Sequence, residues 1–428
     1  MKLTNAALAL ALAVCAAPAA AQYDRPSPPP PPRIPETLSN PGRGEETQAP
    51  APKDGSPRPS AKALKPIVEL QKAVNANDTA NIPAKLAAAQ AVASTKEDRY
   101  IIAQLQLKAA YAANDDTALA GAIDAITASG YVNNSATMAD LYVALGSKLY
   151  NAKKFDAAAT AFEHASTLNP SNSQALVNLA ESRFSSGRKA DAVALFQRAI
   201  QLRTAAGQKP EEALYKRALG IAYGEQMPAT ADLARQWVTA YPSPDSWRNA
   251  LAIYQNLNKP DVEGALDVLR LMRATGSLSN PSDFSLYASA AADQLNYNEA
   301  QAVIDEGLAA KRFEASNPLL KDIITGLRAK PKATDADLAE ASKTAKSGMA
   351  LLRIGDRHYG LGQYAKAVEL YRQSMGKPGV DSSLANMHLG MALARSGDKA
   401  GATAAFNAVS GNLSGIAKYW LIYVQQQA

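Results

Sequence analysis

Between Ala139 and Thr204 two consecutive segments repeat each other in one register. The first carries Leu145, Gly146, Leu149, Phe155, Ala158, Phe162, Ala165 and Pro170; the second carries Leu179, Ala180, Gly187, Ala192, Phe196 and Ala199. The differences 179 − 145, 192 − 158, 196 − 162 and 199 − 165 are all 34. A fixed period of this length marks a stacked array, in which no single unit buries its apolar face alone.

Within each copy the apolar and small residues recur three and four apart, and the run breaks once, near 151–154 or 185–187. Each copy therefore reads as helix, turn, helix. Gly146/Ala180 on the first helix and Ala158/Ala192 on the second let two backbones approach, while Phe162/Phe196 fill the space toward the next hairpin. Leu-Gly, an aromatic, Ala, Phe, Ala and a late Pro in this order resemble the tetratricopeptide repeat family. The resemblance implies an all-α fold, a right-handed α-solenoid (α-α superhelix) of helical hairpins that offers a concave surface to protein partners.

The same signature returns near the C-terminus. Gly355, Tyr359, Gly362, Tyr364, Ala367 and Tyr371 form one copy, and Leu389, Gly390, Leu393, Gly397, Ala402 and Phe406 the next, with 402 − 367 and 406 − 371 both 35. Residues 61–428 thus read as one array whose clearest repeats are 139–204 and 348–410. Between them the pattern loosens. Leu219, Gly220 and Tyr223 restore a first-helix signature, but Pro228, Pro242 and Pro244 shorten the second helix of that pair, since proline disrupts helix interiors. Residues 61–77 and 82–95, then 100–113 and 117–129, read as helical pairs. So do 317–329 and 335–346, where Thr334 and Asp337 suggest a capping box. A last helix over 416–427, with a polar Gln425–Gln427 end, reads as the cap of the stack.

Met1–Ala21 combines Lys2, an apolar run from Ala6 to Ala17 and Ala19–Ala21 before Gln22, the arrangement of a secretory signal peptide. The expected location is the periplasm, and the mature chain carries no membrane span. Cys15, the single cysteine, lies in this segment, in a Leu12–Cys15 context similar to a bacterial lipoprotein box whose small-residue place is taken by Val14. Cleavage after Ala21 leaves no thiol and a formal charge of 45 − 1 − 39 = +5. Residues 22–60 are Pro-rich, including Pro28–Pro32, and read as a disordered or polyproline linker.

Elsewhere acidic and basic residues alternate, as in Glu211, Glu212, Lys216 and Arg217, so no basic block points to nucleic acid. No catalytic constellation stands out. His164, His358 and His388 are isolated, and neither a nucleophile elbow nor a phosphate loop occurs. No cofactor or metal is implied. Tyr215, Trp247, Tyr254, Tyr287, Tyr371 and Trp420, at helical spacing, read as core rather than as a sugar-binding stripe.

One subgroup of the family grips a terminal carboxylate with Lys, Asn and Arg from successive first helices. Here those places hold Val143, Ser147, Asn178, Leu214 and Ala218, so only Asn178 fits and the clamp is absent; Asn178 and Glu181, one turn beyond it, are candidates for a partner-binding groove of another kind. By resemblance the groove places of the last two repeats are Arg353 and Asp356, then Met387, His388, Met391 and Arg395, a mixture suited to an apolar segment carrying negative charge. The alternative reading of these places is an ordinary solvated face. The reading is a non-catalytic scaffold for a protein partner in the cell envelope. Binding or export of envelope polysaccharide is the first alternative, and an unrecognised hydrolase the second.

Overall fold

The computed structural model describes residues 57–132 and 135–427, and every regular element among them is helical. The stretch expected as a signal peptide, and all but the last four residues of the one expected as a linker, lie outside the described residues. The stretch expected as one array falls into two units, one ending at Met227 and one beginning at Pro228.

The first unit runs α1 (Ala61–Asn75), α2 (Ile82–Val92), α3 (Lys96–Ala112), α4 (Asp116–Ala128), α5 (Ser135–Asn151), α6 (Phe155–Leu168), α7 (Ser173–Ser185), α8 (Lys189–Ala205) and α9 (Glu212–Gly224). The pairs α3–α4, α5–α6 and α7–α8 are hairpins whose turns share one device. Asn114, Lys153 and Gly187 adopt φ values of 53°, 61° and 83° at equivalent places. There the chain leaves the helix through the left-handed region and the next N–H reaches back five residues, as from Lys154 to Leu149 O at 2.9 Å and Arg188 to Arg183 O at 2.8 Å. Only one of the three turns uses glycine, so the turn is less visible in the sequence than in the backbone.

Phe162, Phe196 and the alanines at 158, 165, 192 and 199 are buried as the period requires. Gly146 marks the closest approach, since a Cβ there would lie 2.7 Å from the Phe162 ring. At the start of the unit, the buried Asp98 carboxylate accepts from Ser60 N at 2.7 Å, Ser60 Oγ at 2.8 Å and Thr95 N at 3.1 Å. Burial opposes its charge, but these donors hold the carboxyl well below the usual range and tie the cap of α1 to that of α3.

The second unit runs α10 (Thr230–Ala240), α11 (Pro244–Asn258), α12 (Val262–Ala274), α13 (Pro281–Asp293), α14 (Tyr297–Ala309), α15 (Lys321–Arg328), α16 (Asp335–Thr344), α17 (Gly348–Gly360), α18 (Tyr364–Met375), α19 (Ser382–Ser396), α20 (Lys399–Asn407) and α21 (Ser414–Gln426). Pro244 opens α11 behind a Ser243 capping box, and Thr334 with Asp337 forms the expected box on α16. The aromatics expected in the core are there: Tyr215 in the first unit, and Trp247, Tyr254, Tyr287, Tyr371 and Trp420 in this one, are all buried.

α12 departs from an amphipathic surface helix. Leu266, Val268, Leu269, Leu271 and Met272 are buried together with Asp267 and Arg270 between them, so the helix is enclosed on every side. The last helix also departs from expectation. α21 does not close the stack with a solvated polar end. Tyr419 packs against Trp247 and Tyr254, ring centroids 6.4 and 5.7 Å away, and Trp420 stacks on Phe406. Gln426 donates to Val238 O at 2.8 Å and accepts from Trp247 Nε1 at 3.2 Å, while Gln427 donates to Ala394 O at 3.2 Å. The polar end of α21 thus satisfies backbone groups of α10 and α19, and the second unit closes its last helix onto its first.

Candidate functional site

The groove positions expected in the last two repeats are not open. Met387, His388 and Met391 are fully buried and Asp356 is 4 % exposed. The reason is α12, which occupies the face that the first helices α17 and α19 would present. Glu263 of α12 accepts from Arg353 Nη1 at 2.7 Å, and Asp267 Oδ1 lies 3.5 Å from His388 Nε2. Arg395 is half-buried on the same helix as His388, its Nε donating to Tyr364 OH at 3.2 Å.

These contacts belong to a buried charge cluster. Arg270 of α12 makes a two-pronged contact with Glu299 of α14, at 2.9 and 2.8 Å, and reaches Asp267 Oδ1 at 3.1 Å. Glu299 also accepts from Tyr287 OH at 2.9 Å and Asn296 Nδ2 at 2.7 Å, and Asn296 bridges on to Asp356 O at 3.0 Å. Asp356 accepts from Tyr371 OH at 2.8 Å and Arg353 Nη1 at 3.2 Å. His388 Nδ1 sits 2.6 Å from Asp356 Oδ1, with neither ring nitrogen aligned for a hydrogen bond, so the contact is an ion pair. Burial disfavours a charged imidazole, but Asp356 and Asp267 on its two sides overcome this and push His388 up to about 10. Burial likewise raises Asp356, and His388, Arg270 and Arg353 outweigh it, holding its carboxyl well below the usual range.

Such a cluster fixes which helices meet more than it adds net stability, because desolvation offsets most of the Coulombic gain. Its members Glu263, Asp267, Arg270 and Glu299 were not singled out in the sequence. A signal existed in Leu266–Met272, where two charges stand inside an apolar run with no solvent-facing stripe left for them.

In the first unit the equivalent face is different. By register, Val143, Ser147 and Tyr150 of α5 and Val177, Glu181 and Phe184 of α7 correspond to Leu352, Asp356 and Tyr359 of α17 and to Met387, Met391 and Ala394 of α19. The second-unit residues are all buried; of the first-unit ones only Val177 is, and the other five keep partial access to solvent. Adjacent first helices are laced across this face. Tyr150 OH and Ser185 Oγ are 2.8 Å apart, Arg217 of α9 makes a two-pronged contact with Glu181 at 2.9 and 2.8 Å, and its guanidinium lies 4.2 Å above the Phe184 ring. Asn178 accepts from Gln174 Nε2 at 3.1 Å. Thus Asn178 and Glu181 share an accessible face, whereas the six residues expected in the C-terminal groove are drawn into packing.

His164 stacks on Tyr142 at 5.0 Å, and His358 Nδ1 lies 2.6 Å from Gln363 Oε1, so both act structurally. Among the described residues no group of three His, Cys, Asp or Glu is placed to hold a metal ion. Nor is any helix among them long and apolar enough to cross a membrane.

The family model for the tetratricopeptide repeat matches residues 143–208 and 352–413. No curated protein matches the chain. Among solved structures it is similar to a TPR2AB-domain:pHSP90 complex of yeast Sti1, at 16 % identity over 68 % of this chain and 99 % of that one, with a TM-score of 0.25. It is also similar to Naa15/Naa10 bound to HypK-THB, at 14 % identity over 84 % of this chain and 64 % of that one, TM-score 0.30. The TPR domain of P58(IPK) is 15 % identical over 86 % of this chain and 98 % of that domain, TM-score 0.22. The matched stretches coincide with the two pairs of hairpins whose register was read from the period, and over those stretches the chain carries tetratricopeptide repeats.

Proposed function

We propose that the protein is a non-catalytic scaffold that takes an extended segment of a protein partner on the α5–α7–α9 face of its first unit. One observation carries this reading: five of the six register positions keep access to solvent in the first unit, whereas all six are buried in the second. Tetratricopeptide repeats serve as protein-interaction scaffolds, and this face supplies what an extended segment needs, namely half-buried aromatic rings beside amide and hydroxyl groups. Ser147→Arg with Phe184→Ala should lower recovery of the co-purifying partner about tenfold at unchanged helical content. Undiminished recovery would remove this face from consideration.

The setting we propose is the cell envelope, supported by Lys2, the apolar run and Ala19–Ala21. N-terminal analysis of the exported protein should read Gln22. An acylated Cys15 would instead place the protein on a membrane.

A further inference from the structure

The α5–α7–α9 face also indicates what chemistry it accepts. Its charged pair, Glu181 with Arg217, is neutralised internally through two short contacts, so an acidic ligand would have to strip Arg217 from Glu181. Lys148, on the same helix as Ser147, is bound to Asp116. What remains is aromatic, with the Arg217 guanidinium over the Phe184 ring, and its one further charge among the described residues is the exposed Asp140 of α5, which favours a basic ligand.

The aromatic residues recur in register. Leu119 and Ala158, Ile123 and Phe162, and Ala110 and Leu149 are buried pairs each separated by 39, which equates Tyr111 of α3 with Tyr150 of α5; Phe184 of α7 comes 34 later. Three successive first helices therefore carry an aromatic ring at one position. Tyr111 is 58 % exposed, and Tyr150 and Phe184 are half-buried. A row of rings at repeat spacing suits proline, whose flat ring packs on aromatic faces and whose extended helix is already ordered before binding.

The chain carries such a ligand itself. Pro26, Pro28–Pro32 and Pro35 form its densest proline run, flanked by Arg25 and interrupted by Arg33, with no acidic residue from Arg25 to Pro35. Twenty-two residue steps separate Pro35 from Pro57, where the described chain begins. At about 3 Å per residue they reach about 70 Å. The row lies within about three helix layers of α1, at roughly 10 Å per layer. Tethering places the segment at an effective concentration in the millimolar range, where even weak affinity suffices.

We propose that the row of Tyr111, Tyr150 and Phe184 is a proline-recognition surface and that its occupant is the Pro26–Pro35 segment of the same chain, which a partner must displace. This rests on reading the α5–α7–α9 face as a binding surface. The test places a photoreactive benzoylphenylalanine at position 34 of the full chain and maps the crosslinks by mass spectrometry. The expected result is a crosslink within one chain to α3, α5 or α7, reduced about tenfold by Tyr150→Ala with Phe184→Ala at unchanged helical content. Crosslinks between chains, to other helices, or insensitive to those substitutions overturn the proposal. If they do so while Ser147→Arg with Phe184→Ala still lowers partner recovery about tenfold, only the occupant was wrong; if recovery is also undiminished, the face itself was.

Discussion

His388 and Asp356 face each other inside the second unit, Nδ1 to Oδ1 at 2.6 Å, with His388 closed to solvent on every side. Their contact joins α19 to α17, and Asp267 on the far side of the ring joins both to α12. An ion pair at this depth ties folding of the unit to proton uptake.

The first prediction concerns pH. His388 in the folded unit titrates near 10, above its ordinary value of 6.5, so the folded state binds a proton that the unfolded chain has already released. The stability this supplies is fully present below pH 6.5 and is lost as pH rises to 10, at a slope of up to about 1.4 kcal/mol per pH unit. Denaturant unfolding across that range should show the slope in the wild type and its absence in His388→Leu. A flat wild-type profile would mean that the ring is neutral in the folded unit.

Arg353→Glu is the second. On an open groove this change would leave the fold intact. Here the new carboxylate would meet Glu263 and Asp356, which now lie 2.7 and 3.2 Å from Arg353. Because Arg353 is part-exposed, the expected loss is about 2–4 kcal/mol, between that of a surface pair and a buried one. Arg353→Met should cost less, and chemical denaturation of the two variants would rank them.

Small residues at helix contacts give a third prediction, with opposite signs at two sites. A Cβ on Gly355 would lie 2.6 Å from the Tyr371 ring, whose hydroxyl is anchored on Asp356. Gly355→Ala should therefore lower stability by about 1–3 kcal/mol. Gly220, inside α9, has no atom within 4 Å of such a Cβ, and Gly220→Ala should raise stability by up to about 1 kcal/mol through helix propensity. Ala192→Leu and Ala402→Leu, at fully buried positions, should each cost about 1–3 kcal/mol by overpacking.

Trp420→Ala separates a closed unit from an open row of hairpins. In an open row the damage would stay near α20. Because α21 packs against α10, α11 and α12, hydrogen exchange should accelerate there as well, some 170 residues earlier in the chain. Normal protection in α10–α12 would contradict the closure.

The hairpins were legible because their signal is local: apolar spacing, small residues at 146, 158, 180 and 192, and capping pairs such as Thr334–Asp337. The closure of the second unit was not, because it depends on partners about 90 to 190 residues apart, such as Arg353–Glu263 and Gln426–Val238. Charges at helical spacing read the same whether they face water or each other. Asp356 and Arg353 therefore looked like a solvated face, and His388 like a groove residue, until α12 supplied the opposite side. Glu181 on α7 reads no differently in the sequence, yet its face keeps partial access to solvent in the fold.

The two units also impose different demands on synthesis. Hairpins of the first unit contact their sequence neighbours, so each one can pack as it emerges from the ribosome. In the second, Gln426 and Trp247 complete each other across 179 residues, and the indole of Trp247 waits for α21 to be made. Until α21 has been made, α10–α12 lack the partner that covers them, so the arrival of that helix, and not the folding of any single repeat, is the moment at which this half of the molecule becomes safe from aggregation.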